Sequence, residues 1–97
     1  MGLAEDCQAW LERPFPEQLA VSSDLGFELT TIDTFAAGCL DTYVSLGSLD
    51  DERLVVLERC AADLQSLLPK VSAESSEYFV ELAALCRRIL GAMGRRN

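Results

Sequence analysis

The chain has 97 residues, of which 49% are hydrophobic, and its 16 acidic and 8 basic residues give a net charge of −8. This length fits one domain, and the apolar content is too high for a disordered tail. An acidic protein repels nucleic-acid phosphates and anionic lipid, so we expect neither nucleic acid nor a membrane as its partner.

The apolar residues are dispersed along the chain. No apolar run approaches the roughly 20 residues that are needed to cross a bilayer. The acidic beginning of the sequence also lacks the basic region and apolar core of a secretion signal. These two features predict a cytoplasmic protein.

Residues 1–29 predict a short helix followed by an arm. Four apolar residues recur at helical spacing and form one stripe: Leu3, Cys7, Trp10 and Leu11. Pro14 ends this helix, because a proline ring removes a backbone donor and disfavours helix before it. A further turn is predicted from Pro16 through Leu19 and Val21, and residues 22–26 have the composition of a loop.

The next apolar pattern predicts a helix over residues 31–46, with Thr30 or Thr31 as its cap. Its apolar residues cover about 180° of the helix surface: Ile32, Phe35, Ala36, Cys39, Leu40, Tyr43, Val44 and Leu46. Gly38 stands inside this helix, where glycine costs about 1 kcal/mol relative to alanine. We therefore expect another backbone to approach closely at Gly38.

A third helix is predicted over residues 49–68, with Ser48 as its cap and three acids in its first turn. Its stripe covers about 160° and contains Leu54, Val56, Leu57, Cys60, Ala61, Leu64, Leu67 and Leu68. Pro69 ends it. On its polar side, Arg59 and Asp63 are spaced to form an ion pair four residues apart.

The last helix is predicted to begin at Ser72 and to continue to Gly94. Its broad stripe contains Tyr78, Phe79, Leu82, Ala83, Leu85, Cys86, Ile89, Leu90 and Met93. Arginines are concentrated near its end, at positions 87, 88, 95 and 96. We interpret them as cations that favour the negative end of the helix dipole.

Three long helices joined by short turns predict an all-α fold, an antiparallel three-helix bundle with the short N-terminal helix packed across it. If that helix joins the core, the fold becomes a four-helix bundle. We expect one domain over residues 1–97, made of the N-terminal helix and arm (1–29), the three-helix core (30–94) and a basic tail (95–97).

The broadest apolar surface belongs to the second helix, where Ala37, Leu40 and Val44 extend its stripe on one flank. Either the segment with Trp10, Phe15 and Leu19 covers that flank, or a second copy of the protein does. Trp10 and Phe15 are themselves suited to be interface anchors or to hold the arm on the bundle. These possibilities define a predicted interface of Ala37, Leu40, Val44, Trp10 and Phe15.

The available side chains argue against an enzyme, a metal site and a cofactor. The chain contains no histidine, which removes Ser-His-Asp and Cys-His catalysis and the HExxH metal motif. The four cysteines are widely spaced and form no CxxC pair, unlike most zinc ligands. We expect buried, reduced thiols, and we expect the clustered acids to be solvated.

These considerations predict a non-catalytic protein–protein interaction module, with a homodimer as the expected form and no small-molecule substrate. Its partner is expected to be a second copy or another protein. One alternative is a small acidic inhibitor or immunity-type protein that masks a basic partner. A second alternative is a sensor that uses the cysteines for redox chemistry or metal binding.

Overall fold

A computed structural model of the chain describes residues 2–17, 19 and 23–95, and the regular elements in this part are all helical. The helices are α1 (Leu3–Leu11), α2 (Asp24–Leu46), α3 (Asp51–Leu67) and α4 (Ala73–Ala92), and a 3-10 turn over Leu68–Lys70 follows α3. The predicted all-α fold is confirmed. Val21, at the end of the predicted arm, lies outside the described residues.

The four helices form a closed ring. Helix α3 packs between α2 and α4, and α1 packs against both α2 and α4 on the other side. Helices α2 and α4 meet only weakly across the middle, and α1 does not contact α3. The fold is therefore the four-helix form of the predicted bundle, because α1 takes a full position in the ring.

Neighbouring helices in this ring run antiparallel. The short connections over residues 47–50 and 68–72 reverse the chain between α2, α3 and α4. Along the seam between α1 and α4, Asp6 lies beside Arg88 and Arg13 lies beside Glu77, so these two helices also run in opposite directions.

Helix α2 begins earlier than predicted, since residues 24–29 belong to the helix and not to the arm. The side chain of Ser23 caps it by accepting a hydrogen bond from the backbone N–H of Gly26 at 3.0 Å. The hydroxyl of Thr30 instead donates to the carbonyl of Gly26, at 2.7 Å. Gly26 resembled a loop residue in the sequence, but here it is a buried residue in the first turn of a helix.

The turn between α2 and α3 also differs in detail from the prediction. Gly47 ends α2 in a left-handed conformation, with φ of 75°, which favours glycine. Asp50, rather than Ser48, caps α3 by accepting a hydrogen bond from the backbone N–H of Arg53 at 2.9 Å. Leu49 turns inward and is buried, which shifts the start of the helix past the predicted cap.

The core is filled by one apolar stripe from each helix. Its largest fully buried side chains include Cys7, Trp10, Leu29, Leu40, Leu57, Leu64, Phe79, Leu82, Cys86, Ile89 and Leu90. All four helices contribute to the same cluster, so the buried apolar side chains form one core.

Two cysteines define how α2 is aligned with α3. The thiol of Cys39 donates to the carbonyl of Arg53 at 3.7 Å, and the thiol of Cys60 donates to the carbonyl of Ile32 at 3.9 Å. Thiols are weak donors, so these contacts indicate alignment more than strength. Ile32 is therefore level with Cys60, and Cys39 is level with Arg53.

The predicted basic tail folds back onto the bundle at its first residue. The guanidinium of Arg95 lies 3.2 Å from the carboxylate oxygens of both Asp51 and Glu58 on α3. Residues 96 and 97 lie outside the described part of the chain. No described helix is both long enough and apolar enough to cross a membrane.

One buried polar group in α4 has no hydrogen-bond partner. Ser75 is 1% exposed, and its hydroxyl makes no hydrogen bond. We expect Ser75→Ala to raise the free energy of unfolding by about 1 kcal/mol, because it removes an unsatisfied buried hydroxyl. Urea denaturation measures this change.

The control is Ser76→Ala, which carries the same gain in helix propensity on the same helix. The Ser76 hydroxyl donates to the carbonyl of Ala73 at 3.3 Å and is partly exposed. We expect a smaller gain from this variant. A loss of stability in Ser75→Ala would contradict the prediction.

Candidate interaction surface

The five residues of the predicted interface do not form one exposed surface. Trp10 and Leu40 are 2% and 0% exposed and belong to the core of a single chain. Ala37, Val44 and Phe15 are partly buried and pack against that core. The apolar flank that motivated the prediction is therefore covered within the chain.

Helix α1 is the element that covers this flank of α2. Ile32 and Cys39 lie on the side of α2 that faces α3, since each is in hydrogen-bonding range of that helix. At 100° per residue, Ala37 and Val44 lie on the opposite side, where α1 is the neighbour of α2. Of the two occupants considered for the flank, the N-terminal segment is the one observed.

Contacts between aromatic rings hold the N-terminal segment on the bundle. The rings of Trp10 and Tyr78 have centroids 4.7 Å apart, and Phe15 meets Tyr78 and Phe79 edge-on at 5.7 and 5.9 Å. The indole N–H of Trp10 also donates to the backbone carbonyl of Tyr78 at 3.2 Å. Trp10 and Phe15 therefore have a structural role here, since their rings are used within the chain.

Charged side chains surround the contact between the N-terminal segment and α4 on its solvent side. The guanidinium of Arg13 lies 5.7 Å from the centroid of the Tyr78 ring and forms ion pairs with Glu77 and Glu81. On the inner side, the Tyr78 hydroxyl donates to the carboxylate of Asp33 at 2.7 Å. Burial raises the pKa of Asp33, and burial together with Asp33 raises the pKa of Tyr78 well above its usual range.

The cysteines are distributed one to a helix, and all four are buried and free. Burial raises the pKa of Cys7 and of Cys60 from 9.0 to about 11, and it raises the pKa of Cys39 and of Cys86 as well. Protonated, enclosed thiols are poor nucleophiles and poor metal ligands. In the described part of the chain, no three Cys, Asp or Glu side chains are placed to hold a metal ion.

In the described part of the chain, the exposed large apolar side chains are Phe27, Phe35, Leu46, Val55 and Val80, and two of them, one on α2 and one on α3, line the same groove. Phe35 is 58% exposed and Val55 is 57% exposed, and they stand on opposite sides of a groove of about 420 Å³. A second section of about 380 Å³ continues the groove and shares Phe35 and Val56 with the first. We call this surface the α2/α3 face; it comprises Thr31, Thr34, Phe35, Gly38, Thr42, Glu52, Val55, Val56, Arg59 and Asp63.

Gly38 lies at the middle of this face and is exposed. A Cβ atom added there would meet nothing within 4 Å. Within the described part of the chain, no backbone approaches Gly38 as closely as predicted, and nothing there explains the cost of a glycine inside a helix, about 1 kcal/mol.

Two residues that matter on this surface were not identified from the sequence. The apolar arc of α2 predicts Phe35 as a core residue. Val55 falls outside the predicted apolar stripe of α3, and that position was the available signal. The predicted Arg59–Asp63 ion pair does not form, although both side chains line the groove.

Comparisons of this chain with protein-family models, with curated proteins and with solved structures found no match.

The burial of the thiols predicts their chemical behaviour. We expect all four cysteines to react slowly with a chromogenic disulfide reagent at pH 8 and to react fully once the protein is unfolded in denaturant. Because folding raises the pKa of Cys7 and of Cys60 from 9.0 to about 11, the stability that these two thiols contribute is complete below pH 9.0 and declines as the pH rises through about 11.

Thiol counting in native and denatured samples measures the first effect, and denaturation between pH 8 and 11 measures the second. Even one cysteine that reacts at the rate of a free thiol in the native protein would contradict the prediction and support a thiol-based sensor.

Proposed function

We propose that this chain is a non-catalytic protein-interaction module that binds protein through the α2/α3 face. The observation that carries the proposal is the exposure of Phe35 and Val55 on the two sides of one open groove. Exposed apolar side chains that cluster around a groove are typical of binding surfaces, whereas isolated ones are common on any protein.

The seams between the helices support the choice of this face. Arg13 and Arg88 form ion pairs between the N-terminal segment and α4. Arg95, which follows α4, forms ion pairs with two acids of α3. In the described part of the chain, no ion pair crosses the groove between α2 and α3. The charged side chains that line this groove, such as Glu52 and Arg59, are therefore not used in an ion pair across it.

The chemistry of the remaining side chains gives little support to catalysis. The chain has no histidine, and its cysteines are enclosed with raised pKa values. The Asp33–Tyr78 pair is held under the N-terminal segment and lines neither section of the groove.

The two alternatives have weaker support. An acidic inhibitor would present its charge on one dominant face, but each of the four helices carries an exposed acid that forms no ion pair with a described residue: Glu5, Asp41, Glu52 and Glu74. A thiol-based sensor requires an accessible thiolate. We propose the cytoplasm as the compartment, since buried free thiols are typical of reducing surroundings.

Val55→Asp tests the proposed surface, and Val80→Asp is its matched control. Val80 is 50% exposed on α4, outside the α2/α3 face, so both variants place a carboxylate at an exposed valine of a helix. We expect each to change the free energy of unfolding by less than about 1 kcal/mol. Each tagged protein is incubated with an extract of its native host, and the retained proteins are identified by mass spectrometry.

We expect the wild type and Val80→Asp to retain the same proteins, including any untagged copies of the chain, and Val55→Asp to lose them. A set of retained proteins that is identical for all three would contradict binding through this face.

A further inference from the structure

The α2/α3 face is complementary to itself. We infer that its occupant is a second copy of this chain, related by a two-fold axis that lies in the interface and crosses both helices. The axis crosses α2 at the level of the bond between Ala36 and Ala37, and it crosses α3 at the level of the bond between Val55 and Val56. This inference rests on the proposed function and names the partner of the same surface.

The alignment of α2 with α3 allows one axis to serve both helices. Ile32 is level with Cys60, and Cys39 is level with Arg53, as their thiol–carbonyl contacts show. Counting inward from these pairs, the point between Ala36 and Ala37 is level with the point between Val55 and Val56. A two-fold rotation at this level lays α2 on the partner's α2 and α3 on the partner's α3, each pair antiparallel.

The charges on α3 match under this rotation. Glu52 and Arg59 lie on the same side of α3, at equal distances from the axis and in opposite directions along the helix. They are two turns apart, roughly 10 Å, which is too far for an ion pair, and neither forms an ion pair with any described residue. The rotation brings Glu52 to the partner's Arg59 and Arg59 to the partner's Glu52.

The shapes on α2 match under the same rotation. Phe35 and Gly38 are equidistant from the axis, so each exposed phenyl ring meets the partner's Gly38. That position has no side chain, and a Cβ there would have open space in the isolated chain. Thr31 and Thr42 are related in the same way, and Val55 meets the partner's Val56.

These pairings are the pattern of an isologous interface, in which residue i contacts residue j and j contacts i. Along α3, the contacts between Val55 and the partner's Val56 lie at the centre, with a contact between Glu52 and Arg59 on each side. Apolar centres with charged residues around them are usual in protein interfaces. If the partner were strongly basic, we would expect mainly acidic residues on this face. Besides Glu52, the α2/α3 face contains one other acid, Asp63, which lies farther from the two-fold axis than Arg59 does.

Charge reversal of purified protein tests this arrangement by sedimentation equilibrium. We expect the wild type to dimerise. Glu52→Arg alone and Arg59→Glu alone each create two like-charged contacts in the homodimer, so each weakens self-association by on the order of tenfold. An equimolar mixture of the two variants restores it, because the mixed dimer has opposite charges at both contacts.

The matched control is Arg87→Glu, which changes the net charge as Arg59→Glu does. Arg87 is exposed on α4, outside the α2/α3 face, so this variant should dimerise within twofold of the wild type. Circular dichroism confirms that each variant is folded before its association is measured.

A wild type that stays monomeric at micromolar concentration, or a mixture that associates no better than its components, overturns the second copy as the occupant. If the wild type is monomeric while Val55-dependent capture of other proteins persists, the proposed function stands and this inference fails. If capture is also independent of Val55, both fail.

Discussion

The structure depends on the width of the apolar surfaces of α2, α3 and α4. A stripe of about 160–180° is too broad for one neighbouring helix to cover, so each long helix requires two. Three helices in a triangle satisfy this requirement only if α2 and α4 pack closely together. Here α2 and α4 are diagonal neighbours, and α1 fills the space between them. The nine residues of α1 thereby decide that the bundle has four helices.

Closing the ring with α1 determines which surfaces remain open. The aromatic contacts of Trp10 and Phe15, with the ion pairs of Arg13 around them, hold α1 against α4. The flank of α2 with Ala37 and Val44 is covered as a result. On the other side of α2, Phe35 stays exposed beside Val55 of α3. The fold and the proposed binding surface are two consequences of the same packing.

Much of the fold could be predicted from the sequence, because apolar periodicity directly reflects which residues face a core. The stripes of α1, α3 and α4 were predicted in this way, and so were the ends imposed by Pro14 and Pro69. The start of α2 was missed because Gly26 resembles a loop residue, and only the packed structure gives it a buried place in a helix. The interface was predicted on the flank that α1 covers, since periodicity shows that a surface is apolar but not which element covers it.

Nuclear magnetic resonance of the backbone amides across a dilution series tests most directly whether the α2/α3 face is the surface through which the chain associates. We predict that amide shifts in residues 31–42 and 52–63 change with protein concentration, while those of residues 73–92 remain constant. Changes centred on α4 around Val80, or shifts that do not depend on concentration at any residue, would contradict this account.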